Sequence, residues 1–242
     1  MAFVTGVGWA VPGSMGCGRD HPWADPVPGP LPLLKPKTIF RVPCPRFGRM
    51  DAFTQYSMAA MTFALRDAGL EAWNQKRSIG IIASSVNGCL DTDLRYYETV
   101  IPQKGALASP HLFAYTLASS YLGEAAIHFG LDGPTYVLSE RPGDHRMCLK
   151  TALLSLSAGE CEILLSGTSD LESPVRLHCL GKRISGFLYF VIERTNRSLA
   201  PAYGMLGLNP HGDVLFQDTI ILDFYMLARA CLWTSPQSKE TS

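Results

Sequence analysis

The sequence has no excess of either charge. Its 21 Lys and Arg residues balance 21 Asp and Glu residues, giving a formal net charge of +0 and a pI near 7.0. A chain without a basic field has no long-range attraction for nucleic acid. No apolar run is long enough to cross a bilayer. No positively charged stretch precedes the first apolar residues, so no signal peptide is expected. The seven cysteines are scattered and form no Cys-x-x-Cys pair, which argues against zinc and disulfide frameworks. Reduced thiols and a cytoplasmic location are the simplest expectation. Asp91 and Asp93 have no third ligand arranged with them, so neither a metal nor a cofactor is called for. Gly6 and Gly8 form a Gly-x-Gly without a third glycine at dinucleotide spacing, and proline-rich sequence follows where a helix would be needed. Ser84–Ser85 and Ser119–Ser120 lack a Gly-x-Ser-x-Gly elbow.

What is present is a chain of 242 residues, 47% hydrophobic and 17% charged, enough to bury a large core. Phe3, Val4 and Val7 start a strand. Residues 22–45 hold eight prolines and read as an extended surface loop, with a ligand for a proline-reading module as the lesser alternative. A helix is expected over Asp51–Gly69, with Phe53, Tyr56, Ala60, Phe63, Ala64 and Ala68 on its apolar side. Ile79–Ala83 is a continuous apolar strand, as in a sheet covered on both faces, and residues 84–88 form a polar loop at its end. A helix follows over Leu90–Val100. Ser109-Pro110 opens another element, and Ser119 or Ser120 caps a helix running to Phe129. Ser185–Glu193 is the last clear strand. Residues 196–218 read as loop, and a helix is expected at 220–233 with Leu222, Tyr225, Met226, Arg229 and Trp233 along one side.

The organising stretch is Gly133 to Gly167. Tyr136-Val137-Leu138 is a short buried strand. Residues 139–143 form a polar turn, Asp144 is a candidate N-cap, and Leu149, Ala152, Leu153 and Leu156 recur at helical spacing. Ile163-Leu164-Leu165 is a second strand. Such a strand–helix–strand unit belongs to a parallel sheet. A nucleophile at its turn would sit at the positive end of the helix, where a thiol is acidified. The turn instead carries Glu140, Arg141, Pro142 and Gly143, none of which is a usable acyl nucleophile.

Val4–Gly13, Arg46–Leu70, Ile79–Gly88, Ser109–Thr135 and Ser157–Asp170 together resemble the N-terminal half of the β-ketoacyl-acyl carrier protein synthases. The resemblance covers about residues 2–193, in the right order. It implies an α/β, thiolase-like half: a mixed sheet covered by helices, as a synthase N-terminal-like domain over 1–195, with a C-terminal extension over 196–242. It also implies an acyl-accepting cysteine at the turn. Ungapped counting puts that position at Pro142; Ser139 matches the family's turn and Glu140 and Arg141 do not. In lacking the cysteine the chain is similar to the chain-length factors, although it also lacks the glutamine they often carry. The family's later basic residues belong to a C-terminal half that these residues do not include.

Cys148 lies six residues past Pro142 and reads as a core cysteine. His145 reads as a surface residue of the first helical turn, or less readily as a base whose pKa the helix end would lower. Arg141 and Arg146, with Phe113, are the substrate-binding candidates, the arginines for a phosphate such as a phosphopantetheine arm. His111 falls where the resembling enzymes place a segment near the dimer interface and acyl tunnel, and reads more readily as a partly exposed loop histidine. Leu112, Phe113, Tyr115 and Val137 are the interface candidates, because the family pairs along the strand at Thr135–Ser139. Three readings follow. The favoured one is a non-catalytic subunit that pairs with an active synthase or with itself in fatty-acid or polyketide-type biosynthesis. The others are a module that binds acyl chains or acyl carrier protein, and an acyltransferase or decarboxylase using another residue.

Overall fold

The computed structural model describes residues 1–141, 143–172, 185–196 and 201–233. In chain order the elements are β1 (Ala2–Val11), β2 (Ser14–Cys17), α1 (Pro36–Ile39), α2 (Ala52–Asp67), β3 (Ile79–Ser85), α3 (Leu90–Val100), α4 (Pro110–Phe113), α5 (Ser120–Phe129), β4 (Thr135–Ser139), α6 (Arg146–Ala158), β5 (Ile163–Asp170), β6 (Gly186–Glu193), β7 (Gly204–Leu208), β8 (Val214–Phe216), β9 (Thr219–Ile220) and α7 (Phe224–Trp233). The strands form one sheet in the order β4-β3-β5-β6-β1-β7-β8-β9, with β2 paired to β1. β3 is parallel to β4 and to β5, and the other ladders are antiparallel. Val137 and Leu164 therefore share a sheet, with β3 between their strands. The architecture is α/β and thiolase-like.

Two cores sandwich the sheet. On β6, Phe187, Tyr189 and Val191 face α2 and α5, while Leu188, Phe190 and Ile192 join the core of α6 and α7. This two-sided burial explains why the strand is apolar at nearly every position. β1 divides its residues differently. Val7, Trp9 and Val11 enter the second core, whereas Gly6 and Gly8 lie against α2. A Cβ at Gly8 would stand 2.1 Å from the Ala64 nitrogen and 2.4 Å from the Ala60 oxygen. The Gly-x-Gly is thus a close strand–helix approach.

α2 begins one residue inside the expected span. Asp51 caps it, its Oδ1 accepting from the Thr54 N–H at 3.0 Å. The proline-rich stretch carries neither helix nor strand over residues 22–35, and the short α1 starts at Pro36. Ser119 occupies the α5 N-cap without a side-chain capping bond, and the Ser120 hydroxyl donates to the Ala114 carbonyl at 3.0 Å, so neither serine caps as expected.

The segment expected to be loop over 196–218 is corrected by β7 and β8. β7 pairs with β1 through Ala2↔Leu206, Phe3↔Met205 and Val4↔Gly204. The expected helix at 220–233 forms as α7, but its inward face differs. Phe224, Leu227, Ala228 and Cys231 are buried, while Leu222 is exposed.

Candidate active site

The turn between β4 and α6 opens on a cleft of about 610 Å³, lined by Leu138, Ser139, Glu140, Arg141, Asp144, Arg146, Met147, Lys150 and Thr151. Pro142, the position of the family cysteine, lies outside the described residues. α6 starts at Arg146, with His145 and not Asp144 as its N-cap. Asp144 instead accepts from the Arg146 backbone N–H at 3.2 Å and holds its guanidinium through Nε at 2.8 Å and Nη2 at 2.7 Å. That pairing holds the Asp144 carboxyl down at about 2.

The positive end of α6 is occupied from within. Glu140 Oε1 accepts the backbone N–H of Met147 at 2.9 Å and of Cys148 at 3.2 Å. These amides have no partner inside the helix, and a carboxylate is the group their dipole favours. Glu140 Oε2 is buried, and by distance and angle it has no hydrogen-bond partner among the described residues. Burial raises the Glu140 pKa, the two amides work against it, and the Asp144 charge adds to it.

Cys148 is fully buried beneath this end, as expected. Its Sγ donates to the Ile82 carbonyl at 3.4 Å and lies 3.7 Å from the Ser166 hydroxyl. Burial, then the Glu140 charge, pushes the thiol far above its ordinary range, the opposite of an activated nucleophile.

The expected surface role of His145 is overturned, because α7 covers it. Only 4% of the residue is exposed, and its ring lies 5.2 Å from that of Phe224. The Phe224 N–H donates to Nδ1 at 3.3 Å, and the His145 N–H donates to the Leu222 carbonyl at 3.0 Å. The pKa is lowered to about 4 by burial, and Asp223 and Asp144 oppose the shift. Desolvation leads here, not the helix end.

Arg141 and Arg146 share the cleft, but Arg146 is tied to Asp144. Phe113 does not line it. It projects from α4 with its ring 5.4 Å from Tyr96. Ser109 caps α4 by accepting from the Leu112 N–H at 3.2 Å, and Leu112 is half-buried. Tyr115 is buried and donates to Glu124 at 3.3 Å, so it supports this loop from beneath. His111 is exposed, 5.8 Å from the Tyr115 ring. Val137 is half-buried on the edge strand.

One organising residue escaped the sequence reading. Asp170 Oδ1 accepts the Ser85 hydroxyl at 3.1 Å and the N–H groups of Val86 and Asn87 at 2.8 and 2.9 Å, fixing the loop after β3. The only signal was an acid ending the polar run Ser166–Asp170. Asp91 pairs with Arg95 at 3.9 Å. Among the described residues no three metal-ligating side chains gather, and no helix is long and apolar enough to cross a membrane.

Comparison with known proteins follows the same outline. The family model "Beta-ketoacyl synthase, N-terminal domain" matches residues 35–188. The 3-oxoacyl-(acyl-carrier-protein) synthase 2 of Vibrio harveyi is 26% identical over 126 residues, 52% of this chain and 30% of that protein. The chain spans a third or less of the length of the curated relatives it matches. Among solved structures, the ishigamide ketosynthase/chain length factor superposes with a TM-score of 0.63 at 18% identity, covering 85% of this chain and 62% of that one. A type II polyketide synthase acyl-carrier protein in complex with its ketosynthase, bound to the hexaketide, gives a TM-score of 0.59 at 17% identity, covering 85% and 67%. At these identities the structures speak for the fold.

Proposed function

The chain belongs to the family of β-ketoacyl synthase N-terminal domains, and from that premise we propose that it is a synthase-like subunit that does not itself condense acyl chains. It serves polyketide or fatty-acid type biosynthesis by pairing with an active synthase or with a second copy. The observation that carries this reading is the Glu140 carboxylate on the amides of Met147 and Cys148. The helix-end amides that would acidify a nucleophile are already taken up by the Glu140 side chain. The turn offers no thiol or hydroxyl past Ser139, and Cys148 is buried with its thiol protonated.

Docking of an acyl carrier protein belongs to the same proposal. No acidic residue stands between Asp25 and Asp51, while Lys35, Lys37, Arg41, Arg46 and Arg49 do. All five are exposed, although Arg41 and Arg46 also reach Glu71 and Glu124. Such an exposed basic segment suits an acidic protein surface and would make binding salt-sensitive.

The test is intact-mass analysis after incubation with acyl and malonyl carrier proteins. The expected result is an unmodified mass and no condensation product. An acyl adduct that disappears in Cys148→Ala would overturn the reading.

A further inference from the structure

α6 buries Cys148, Leu149, Ala152, Leu153 and Leu156 against the sheet. A helix with one face in a core normally turns polar residues to water on the other, and α6 does not. Met147, Thr151, Leu154 and Ala158 follow at spacings of four, three and four residues, which places them in one stripe along the helix. Met147 and Leu154 are 61% and 58% exposed. Ala158 is exposed and Thr151 half-buried. The Thr151 hydroxyl is already satisfied, donating to the Met147 carbonyl at 2.7 Å. No charged residue interrupts the stripe, and Leu138 borders the same cleft as Met147 and Thr151. Large side chains that stand this far out of a helix that is buried on its other side mark a contact surface.

Two asymmetries along the stripe identify its occupant. The first is size. Large Met147 and Leu154 alternate with small Thr151 and Ala158. The second is charge. Arg141, Arg146 and Lys150 gather at the N-terminal end of α6, and Glu160 and Glu162 follow its C-terminal end. Arg146 and Glu162 also pair within the chain, with Asp144 and Arg194.

We propose that α6 is a docking face for α6 of a second copy, packed antiparallel about a two-fold axis between Thr151 and Leu154. In this register Met147 of each copy meets Ala158 of the other, and Leu154 meets Thr151. Every large side chain therefore faces a small one, as interdigitating layers require. Sliding the helices until Thr151 meets Thr151 sets Met147 against Leu154 and leaves Ala158 unpaired. A parallel arrangement sets large against large and basic end against basic end. Only the antiparallel one brings the basic end of each helix to the acidic end of its partner, and it also opposes the helix dipoles. A stripe that is its own complement suits an isologous interface. A contact built around one pair of helices is small for an interface, so the expected association is reversible and in the micromolar range. The inference goes beyond the proposed function. It uses a face of the chain other than its strand edge, and it holds whether or not the chain condenses acyl groups or pairs with an active synthase.

Light scattering of the purified full chain over a concentration series measures the association, and cysteine cross-linking measures the register. Met147 and Ala158 are eleven residues apart, ~16 Å along the helix at ~1.5 Å per residue. Met147→Cys alone and Ala158→Cys alone are therefore expected to give no disulfide beyond the background of the native chain. A mixture of the two is expected to give a covalent dimer under mild oxidation, because their Cα atoms meet across the helix pair. Leu154→Lys places two like charges beside the axis and should raise the dissociation constant about tenfold or more. Its circular dichroism spectrum should match that of the native chain, since Leu154 lies outside the core. If Leu154→Lys fails to fold, the cysteine series still decides. A monomer throughout the micromolar range would overturn the proposal. So would an association that Leu154→Lys leaves unchanged, self-cross-linking by Met147→Cys as efficient as in the mixture, or cross-linking of the stripe only to a different protein.

Discussion

Tyr203 donates its phenol hydrogen to Asp67 Oδ2 at 2.8 Å, across 136 residues of sequence. The same carboxylate accepts the Val7 N–H at 2.8 Å and the Arg19 N–H at 2.9 Å, and Arg19 Nη1 lies 3.1 Å from it. The Arg19 guanidinium in turn sits 4.5 Å over the Tyr203 ring. One buried acid therefore joins β1, the end of α2 and the segment that leads into β7. Its side chain is fully buried, so replacing it leaves Arg19 without its counter-charge. Asp67→Ala should cost about 3–5 kcal/mol in urea unfolding. Tyr203→Phe, which removes one hydrogen bond to a charged group, should cost about 1.5–3 kcal/mol. If Tyr203→Phe is neutral, the bond from the phenol to Asp67 adds nothing to the hold of the C-terminal segment.

This junction also marks where sequence reading stops. β3, β4, β5 and β6 are legible because each is a compact apolar run bounded by turn residues, and α2 because its apolar side repeats at helical spacing. β7 and β8 are short and broken by Gly204, Gly207 and Gly212, and β7 takes its place from β1, some two hundred residues earlier in the chain. Nothing local announces such a pairing. The same distance hid the burial of His145, whose cover is α7. At the candidate site the lack of a nucleophile was plain in the letters of the turn. The folding of Glu140 back onto the helix end was not, because a glutamate in a polar turn carries no pattern that says where it points.

A second prediction concerns packing. Gly8 admits α2 because it has no side chain. Gly8→Ala forces the helix backbone away from β1 and should destabilise the fold by about 3 kcal/mol, at the upper end of ordinary overpacking. Thermal unfolding measures this. Gly13, where an added Cβ meets nothing, is a poor control because its φ of +79° makes any side chain strained. Gly48→Ala, in open space with no such φ, is the better one.

A third prediction concerns Glu140. Its pKa is raised in the folded state, so the folded chain holds that proton more tightly than the unfolded one. The corresponding stability is fully present below the unfolded value near 4.5 and is lost as pH rises through the folded pKa. Glu140→Gln keeps an oxygen for the two amides and cannot ionise. Its stability relative to the native chain should therefore increase from pH 4 toward neutrality, as followed by urea titration at each pH. A difference that stays constant with pH would mean that ionised Glu140 carries no penalty.

The last prediction has the opposite sign. His145 is buried neutral, and its pKa falls from 6.5 to about 4. The unfolded chain binds this proton more readily, so the stability it provides is full above pH 6.5 and drains away as pH falls toward 4. The size follows from the shift, roughly 3 kcal/mol at ~1.4 kcal/mol per pKa unit. Physically, protonation puts a charge beside Phe224 and removes the acceptor that Nδ1 offers to the Phe224 N–H. α7 should therefore loosen first on acidification, before the sheet. His145→Gln retains a side-chain acceptor without a titrating proton and should flatten the stability curve between pH 6.5 and 4, at some cost in packing at neutral pH. Hydrogen exchange of the α7 amides across this range is the direct measurement. If α7 protection in the native chain is unchanged down to pH 4, or falls equally in His145→Gln, the titrating group lies elsewhere.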